Sequence, residues 1–208
     1  MNLSDIRTLT RDLLDESGTT RFADADLLRW INRGYHRIVR YSELLEQTKY
    51  FTAVVGQRTY SLPTDYMSAG WVSLSFLDDD GEEVELDFLN FFQMRRYLSD
   101  NDNADPEWWS IFDGQLWVHP RFDQARTVYF RYKRKPTALS ADTDSPEIDE
   151  ALHEALAYWA AYIGCKKDKN HIEAAFHLAD FKELTGLGEQ IGLRQGDTRM
   201  IHEYEDLY

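Results

Sequence analysis

The chain has 208 residues, enough for one ordinary domain or for a domain carrying an inserted subdomain, and a core of that size needs no disulfide or metal staple. Its 37 acidic and 23 basic residues leave a net charge of −14, so the molecule as a whole repels a phosphate backbone and sequence-specific DNA binding is disfavoured. No window approaches the ~20 apolar residues of a membrane helix, and Met1-Asn2-Leu3-Ser4-Asp5 lacks the features of a secretory signal.

The expectation is therefore a soluble protein of a reducing compartment, with the single Cys165 an ordinary small residue in or near the core. Aromatic residues make up 14% of the chain, with six Trp and twelve Tyr, which implies large surfaces buried in a Trp-rich core or against a partner.

Ser4 reads as an N-cap, and Ile6, Leu9, Leu13 and Leu14 follow at helical spacing until Ser17-Gly18. A longer helix capped by Asp24 carries Leu27, Leu28, Ile31, Tyr35 and Ile38 on one face, and Phe22 is placed to staple onto it. From Lys49 the period falls from 3.6 to 2. Antiparallel strands are predicted over 49–55, 58–62, 70–77, 82–88, 107–112, 115–119 and 126–133.

Two turns anchor that reading, Asp78-Asp79-Asp80-Gly81 and Asp113-Gly114, the second flanked by alternating apolar residues. In Arg58–Tyr66, a strand runs into Leu62-Pro63; Pro63 ends it, and Asp65 is expected to bond its own backbone in the turn. Residues 90–98 read as a brief helix. Ser145-Pro146-Glu147 reads as the start of a third long helix, carrying Ile148, Leu152, Ala155, Leu156, Trp159 and Ile163. A fourth, over 170–184, places Ile172, Ala175, Phe176, Ala179 and Phe181 on its apolar positions. Beyond Thr185, glycines interrupt the pattern.

The fold expected from these elements is α+β, an antiparallel helical bundle of residues 1–48 and 137–185, a β-rich insertion over 49–136, and an extended C-terminal arm over 186–208. In that arm Met200, Ile201, Tyr204, Leu207 and Tyr208 are apolar for a solvated tail, and they are expected to act as docking anchors.

Catalytic signatures are missing. His153-Glu154 is followed by Ala157 where a zinc protease helix needs its second His, and the six histidines are otherwise scattered. The acidic runs 78–87 and 100–105 fail the calcium-loop spacing, which needs Gly at the sixth position and Glu at the twelfth. No phosphate-binding loop, dinucleotide fingerprint or nucleophile elbow occurs, so no cofactor, metal or catalytic residue is expected.

Charge patterning suggests a different use of the β-region. Asp78, Asp79, Asp80, Glu82 and Glu83 contrast with a basic group on a separate strand that includes Arg131, Arg134 and Lys135; these are either cross-strand pairs on a solvated sheet or acid-to-base contacts between identical subunits closing a ring. Trp108 and Trp109 take opposite faces of their strand, so one is expected at an interface; a carbohydrate-stacking platform is the alternative.

The order of Leu27–Tyr35, Tyr60–Tyr66, the hairpin 111–120, the strand 128–133 and the helix opening Ile148–His153 resembles the head-to-tail connector, or adaptor, proteins of tailed bacteriophages. The resemblance covers residues 3–184 and departs at Gly34, where a small Ala is expected, and at the long acidic hairpin. It implies a non-enzymatic virion protein, assembled in the host cytoplasm. It would form a dodecameric ring in the neck beneath the portal protein, extending the DNA channel and receiving a tail or nozzle protein. A tail-completion or tail-tube component and, in another class, a carbohydrate-binding β-module are the alternatives.

Overall fold

The computed structural model describes residues 1–16, 21–42, 44–68, 72–98 and 103–187. The fold is α+β. In chain order it runs α1 (Leu3–Leu13), α2 (Asp24–Ser42), β1 (Glu46–Thr52), β2 (Thr59–Ser61), β3 (Val72–Leu77), β4 (Glu83–Glu85), β5 (Asp87–Phe88), α3 (Phe91–Met94), β6 (Trp108–Phe112), β7 (Gln115–His119), β8 (Thr127–Lys133), α4 (His153–Lys167) and α5 (His171–Thr185), with a 3-10 turn at Glu150–Leu152. Contacts divide the chain into two compact units, one from residues 1–44 and 136 onward, the other Leu45–Lys135.

In the helical unit α4 is the central element, packing against α1, α2 and α5. Its composition suits that place: Ala155, Leu156, Ala157, Trp159, Ala160, Ala161 and Cys165 are all buried, so it presents apolar surface around most of its circumference. Helix α1 starts earlier than its sequence suggests. Asn2, not Ser4, is the N-cap: its side chain accepts from the Asp5 N–H while Asp5 accepts from the Asn2 N–H.

Helix α2 ties the returning chain to this unit. The Asn32 amide accepts from the Leu139 N–H at 2.8 Å and donates to the Leu139 carbonyl at 2.9 Å. The Tyr35 hydroxyl accepts from the Glu147 N–H at 2.6 Å. Ser145-Pro146 does not open a helix as expected: the Leu152 N–H bonds the Asp149 carbonyl, three residues back, the Ile148 carbonyl accepts from the His153 ring, and helical structure begins only at Glu150, capped by Asp149 accepting from the Ala151 N–H. At Gly34 the Trp159 ring lies so close that a Cβ would stand 2.7 Å from its Cδ1, so the departure from Ala has a packing cause.

Helix α5, capped by Asn170 and stopped by Gly186 at φ 63°, turns only part of its apolar surface inward. Ala174, Phe181 and Thr185 are buried, whereas Ile172 and Phe176, read from the sequence on the same apolar set as Phe181, are 73% and 66% exposed. Ala175 and Ala179 are exposed as well.

The second unit is built on two four-stranded sheets, in the orders β1-β8-β3-β4 and β2-β7-β6-β5. The run expected as one strand over 82–88 is two. It breaks at buried Leu86, whose N–H donates to Leu74 of the first sheet and whose carbonyl accepts from the Trp109 indole of the second. A short strand that changes sheets gives β5 its parallel pairing with β6, the one departure from antiparallel order among the named strands. Between the sheets lie Tyr60, Leu74, Phe76, Leu86, Trp109, Leu116, Val118, Phe122, Val128, Phe130 and Tyr132. The β6–β7 hairpin turns on Asp113 and Gly114, both at positive φ, as its dipeptide predicts.

Asp65 does not close an Asx turn. Its carboxylate accepts from the Tyr132 hydroxyl at 2.8 Å, and burial together with this contact raises the Tyr132 pKa. The Pro63 turn thereby anchors to β8, with the Tyr66 ring against Phe130 and Tyr132.

The buried Arg126 guanidinium, its side chain 5% exposed, bonds Asp79 at 2.7 Å and Asp105 at 3.0 Å. The acidic runs considered for calcium thus converge on an arginine. Arg126 holds the Asp79 pKa below the usual carboxylate range.

Two outcomes follow for stability. Gly34→Ala gains about 1 kcal/mol of helix propensity but overpacks Trp159 at a cost of about 1–3 kcal/mol, so a net loss in chemical denaturation is expected. Neutral or raised stability would show that Trp159 yields. Because the folded Asp79 pKa is depressed, its contribution is present above the unfolded value and is lost as pH falls through about 4 and below. Arg126→Met should lower the denaturation midpoint at pH 7 and flatten that acid-side loss, measured by denaturant titration between pH 3 and 7.

Candidate assembly surfaces

The acidic hairpin and the basic strand lie in one sheet. Strand β4 pairs with β3, and β3 with β8, so Arg131 on β8 reaches past Ser75 to Glu83 on β4. Its guanidinium donates to both Glu83 oxygens, at 2.5 and 3.0 Å, and to the Ser75 hydroxyl at 3.0 Å. Hydrogen bonds from Arg131 and Ser75 lower the Glu83 pKa. Lys133, also on β8, is buried and bonds Glu46 on β1 at 2.6 Å.

Asp78 shapes its own turn: its carboxylate accepts from the Asp80 and Glu82 N–H groups. Of the charged residues singled out in the sequence, Asp79, Glu83 and Arg131 are therefore bonded within one chain, while Asp80, Glu82 and Lys135 project as exposed ends and Arg134 is half-buried beside Tyr66.

Trp109 is buried and donates to the Leu86 carbonyl; Trp108 is half-buried, stacked on His119 at 5.7 Å and beside Tyr97 at 5.4 Å. The larger aromatic surface lies next to it. Phe91 stacks face to face on Phe112 at 3.9 Å and edge-on against Trp117 at 4.9 Å, with Phe92 against both Phe rings and 66% exposed; Phe88, edge-on against Trp109 at 5.0 Å, is 60% exposed. Arg95 and Arg96 border it, both exposed. Sequence reasoning puts Phe91 and Phe92 on the brief helix over 90–98 but assigns none of these phenylalanines a place at a surface site. The signal was present, since a helix of four residues beginning Phe91-Phe92 has no second face on which to bury both rings.

A cleft of about 370 Å³ opens between β1 and β2, lined by Phe51, Val54, Tyr60, Leu62 and Leu116 with Lys49 at its edge. It holds no carboxylate, imidazole or thiol with which to run acid–base or nucleophilic chemistry. Among the described residues no group of three or more His, Cys, Asp or Glu side chains is arranged to hold a metal. No helix among them is long and apolar enough to cross a membrane. Met200, Ile201, Tyr204, Leu207 and Tyr208 lie outside the described residues.

The chain is similar to one from a solved structure of the neck of an empty GTA particle computed with C6 symmetry, at 15% identity and a TM-score of 0.31, over 75% of this chain and 74% of that one. No curated protein matches. The model of the SU10 adaptor protein family matches residues 1–202, and the chain belongs to that family.

Proposed function

We propose that this protein is a non-enzymatic structural component of a phage virion, the head-to-tail adaptor that forms a ring in the neck between the portal and the tail. Membership of the SU10 adaptor family across residues 1–202 is the observation that carries this reading. The surfaces are consistent with it. An exposed aromatic patch beside two exposed arginines, and a cleft of about 370 Å³ without carboxylate, imidazole or thiol, suit burial against other proteins better than turnover of a substrate.

In this reading subunits also meet through the sheet unit. The exposed Asp80 and Glu82 of the hairpin lie near one contact and Lys135, with Arg134, near another. Asp78, Asp79, Glu83 and Arg131 hold the hairpin in shape. Trp108 and the aromatic patch face a partner protein, and Trp109 supports them from the core. The C-terminal arm docks on the portal through Met200, Ile201, Tyr204, Leu207 and Tyr208. A ring of twelve such chains, each of net charge −14, would let DNA slide through the channel without adhering.

The test is imaging of the purified protein alone and mixed with its portal, together with a variant ending at Leu187, which keeps the Gly186 stop of α5. Rings with an axial opening on the portal are expected for the full chain, and the truncated chain should melt at nearly the same temperature yet fail to bind portal. A protein that ignores the portal and co-purifies with tails would instead be a tail component. A truncated chain that melts several degrees lower and still docks would make the arm part of the fold.

A further inference from the structure

We propose that the outward face of α5 is an interface seat for the α2 helix of a second copy of this chain. The inference rests on the ring reading above and names helical surfaces through which subunits would meet.

Helix α5 packs inward on α4 through Ala174, Phe181 and Thr185, with Phe181 against Trp159 at 5.0 Å. Its other side carries Ile172, Ala175, Phe176 and Ala179, at i, i+3, i+4 and i+7, all exposed. A helix apolar on two opposite sides is the pattern of an element buried on both. Along this stripe lie carboxylates. Glu154 and Tyr158 of α4 join Asp180, Glu183 and Leu184 of α5 around a shallow depression, where burial and the Glu154 and Asp180 charges raise the Tyr158 pKa.

The complementary surface is on α2. Arg29, Arg33, Arg37 and Arg40 are exposed at i, i+4, i+8 and i+11, a basic stripe on an acidic molecule. It spans 12 residues, about 16 Å of helix, the same length as Ile172 to Glu183 on α5. Arg29 bonds Asp26, and Arg37 lies over the Tyr41 and Trp159 rings. Among the described residues, Arg33 and Arg40 have no carboxylate at ion-pair distance. Arginine stems can lie flat over a Phe ring while their heads reach flanking carboxylates, so one stripe matches the other in both apolar and charged character. Because the patches differ, the contact is heterologous, the type that propagates into rings.

Cross-linking tests the pairing. Purified Phe176→Cys and Arg33→Cys proteins, each checked for an unchanged melting temperature, are mixed and oxidised, with the buried native Cys165 as the common background. Cross-links between the two variants, absent when either is oxidised alone, are expected. In parallel, Arg33→Glu with Arg40→Glu should weaken self-association roughly tenfold or more, Glu183→Arg with Asp180→Arg should do the same, and combining the sets should recover much of the loss.

Phe176→Cys cross-linking with itself would mean an α5–α5 contact and overturn the proposal. So would a thiol introduced at position 176 that becomes reactive only on truncation at Leu187, which would put the chain's own arm on this face. Wild-type assembly that is indifferent to every variant refutes this interface alone; wild-type protein that never self-associates, with or without portal, refutes the ring reading together with it.

Discussion

The close approach of Trp159 to Gly34 is the constraint on which the helical unit depends. A ring with no room for a Cβ between it and α2 fixes the depth at which α4 sits, and the hydrogen bonds on either side, a pair between Asn32 and Leu139 and one from Glu147 to Tyr35, fix its entry. All three contacts join chain segments more than 100 residues apart in sequence. Their closure entropy is supplied once, by one helix face, because Asn32, Gly34 and Tyr35 are consecutive or nearly so. The motif Leu27–Tyr35 is therefore a device for re-joining the chain after a long excursion. Asn32, Gly34 and Tyr35 each have a named partner on the returning segment.

The sheet unit resolves charge differently. An arginine buried against Phe76 could not stay there unpaired, and Asp79 and Asp105 arrive from two separate loops to meet it. Arg131 with Glu83 and Lys133 with Glu46 repeat the arrangement on the sheet itself. Strong internal pairing takes these groups out of the pool available to a partner, so exposed position, more than charge in the sequence, decides which residues can serve assembly. That shifts weight from the acidic hairpin as a whole to its tip, and from the basic cluster to the end at Lys135.

What could be read from the sequence was whatever local chemistry decides alone. The α2 periodicity, the Asp113-Gly114 turn and the Asn170 to Gly186 limits of α5 all rest on neighbours within a few residues. The misread places are those where a distant residue wins. Ser145-Pro146 carries a good helix start, but the segment is tethered to α2 by Tyr35, more than 100 positions away, and the helix opens only at Glu150. Asp65 has the right neighbours for an Asx turn, but Tyr132 offers it a hydroxyl. The run 82–88 alternates as one strand and is divided at Leu86 because two sheets compete for it. Periodicity also cannot say which side of α5 is inside, since Phe181 and Phe176 are equally apolar.

That ambiguity in α5 is informative about selection on the surface. A helix needing only to fold would place charge at Ile172 and Phe176, gaining solubility at no cost to the α4 contact, because both side chains stand outside the core. Large apolar groups at 73% and 66% exposure, on the outer side of a helix already packed, add little to the core of the isolated subunit. The same reasoning applies in the sheet unit to Phe92, whose ring extends the stack of Phe91, Phe112 and Trp117, and to Phe88, exposed though edge-on against Trp109. Both units thus carry apolar surface in excess of what their own cores use. In a chain of net charge −14 the mutual repulsion of like-charged molecules offsets the tendency of that excess to draw them together.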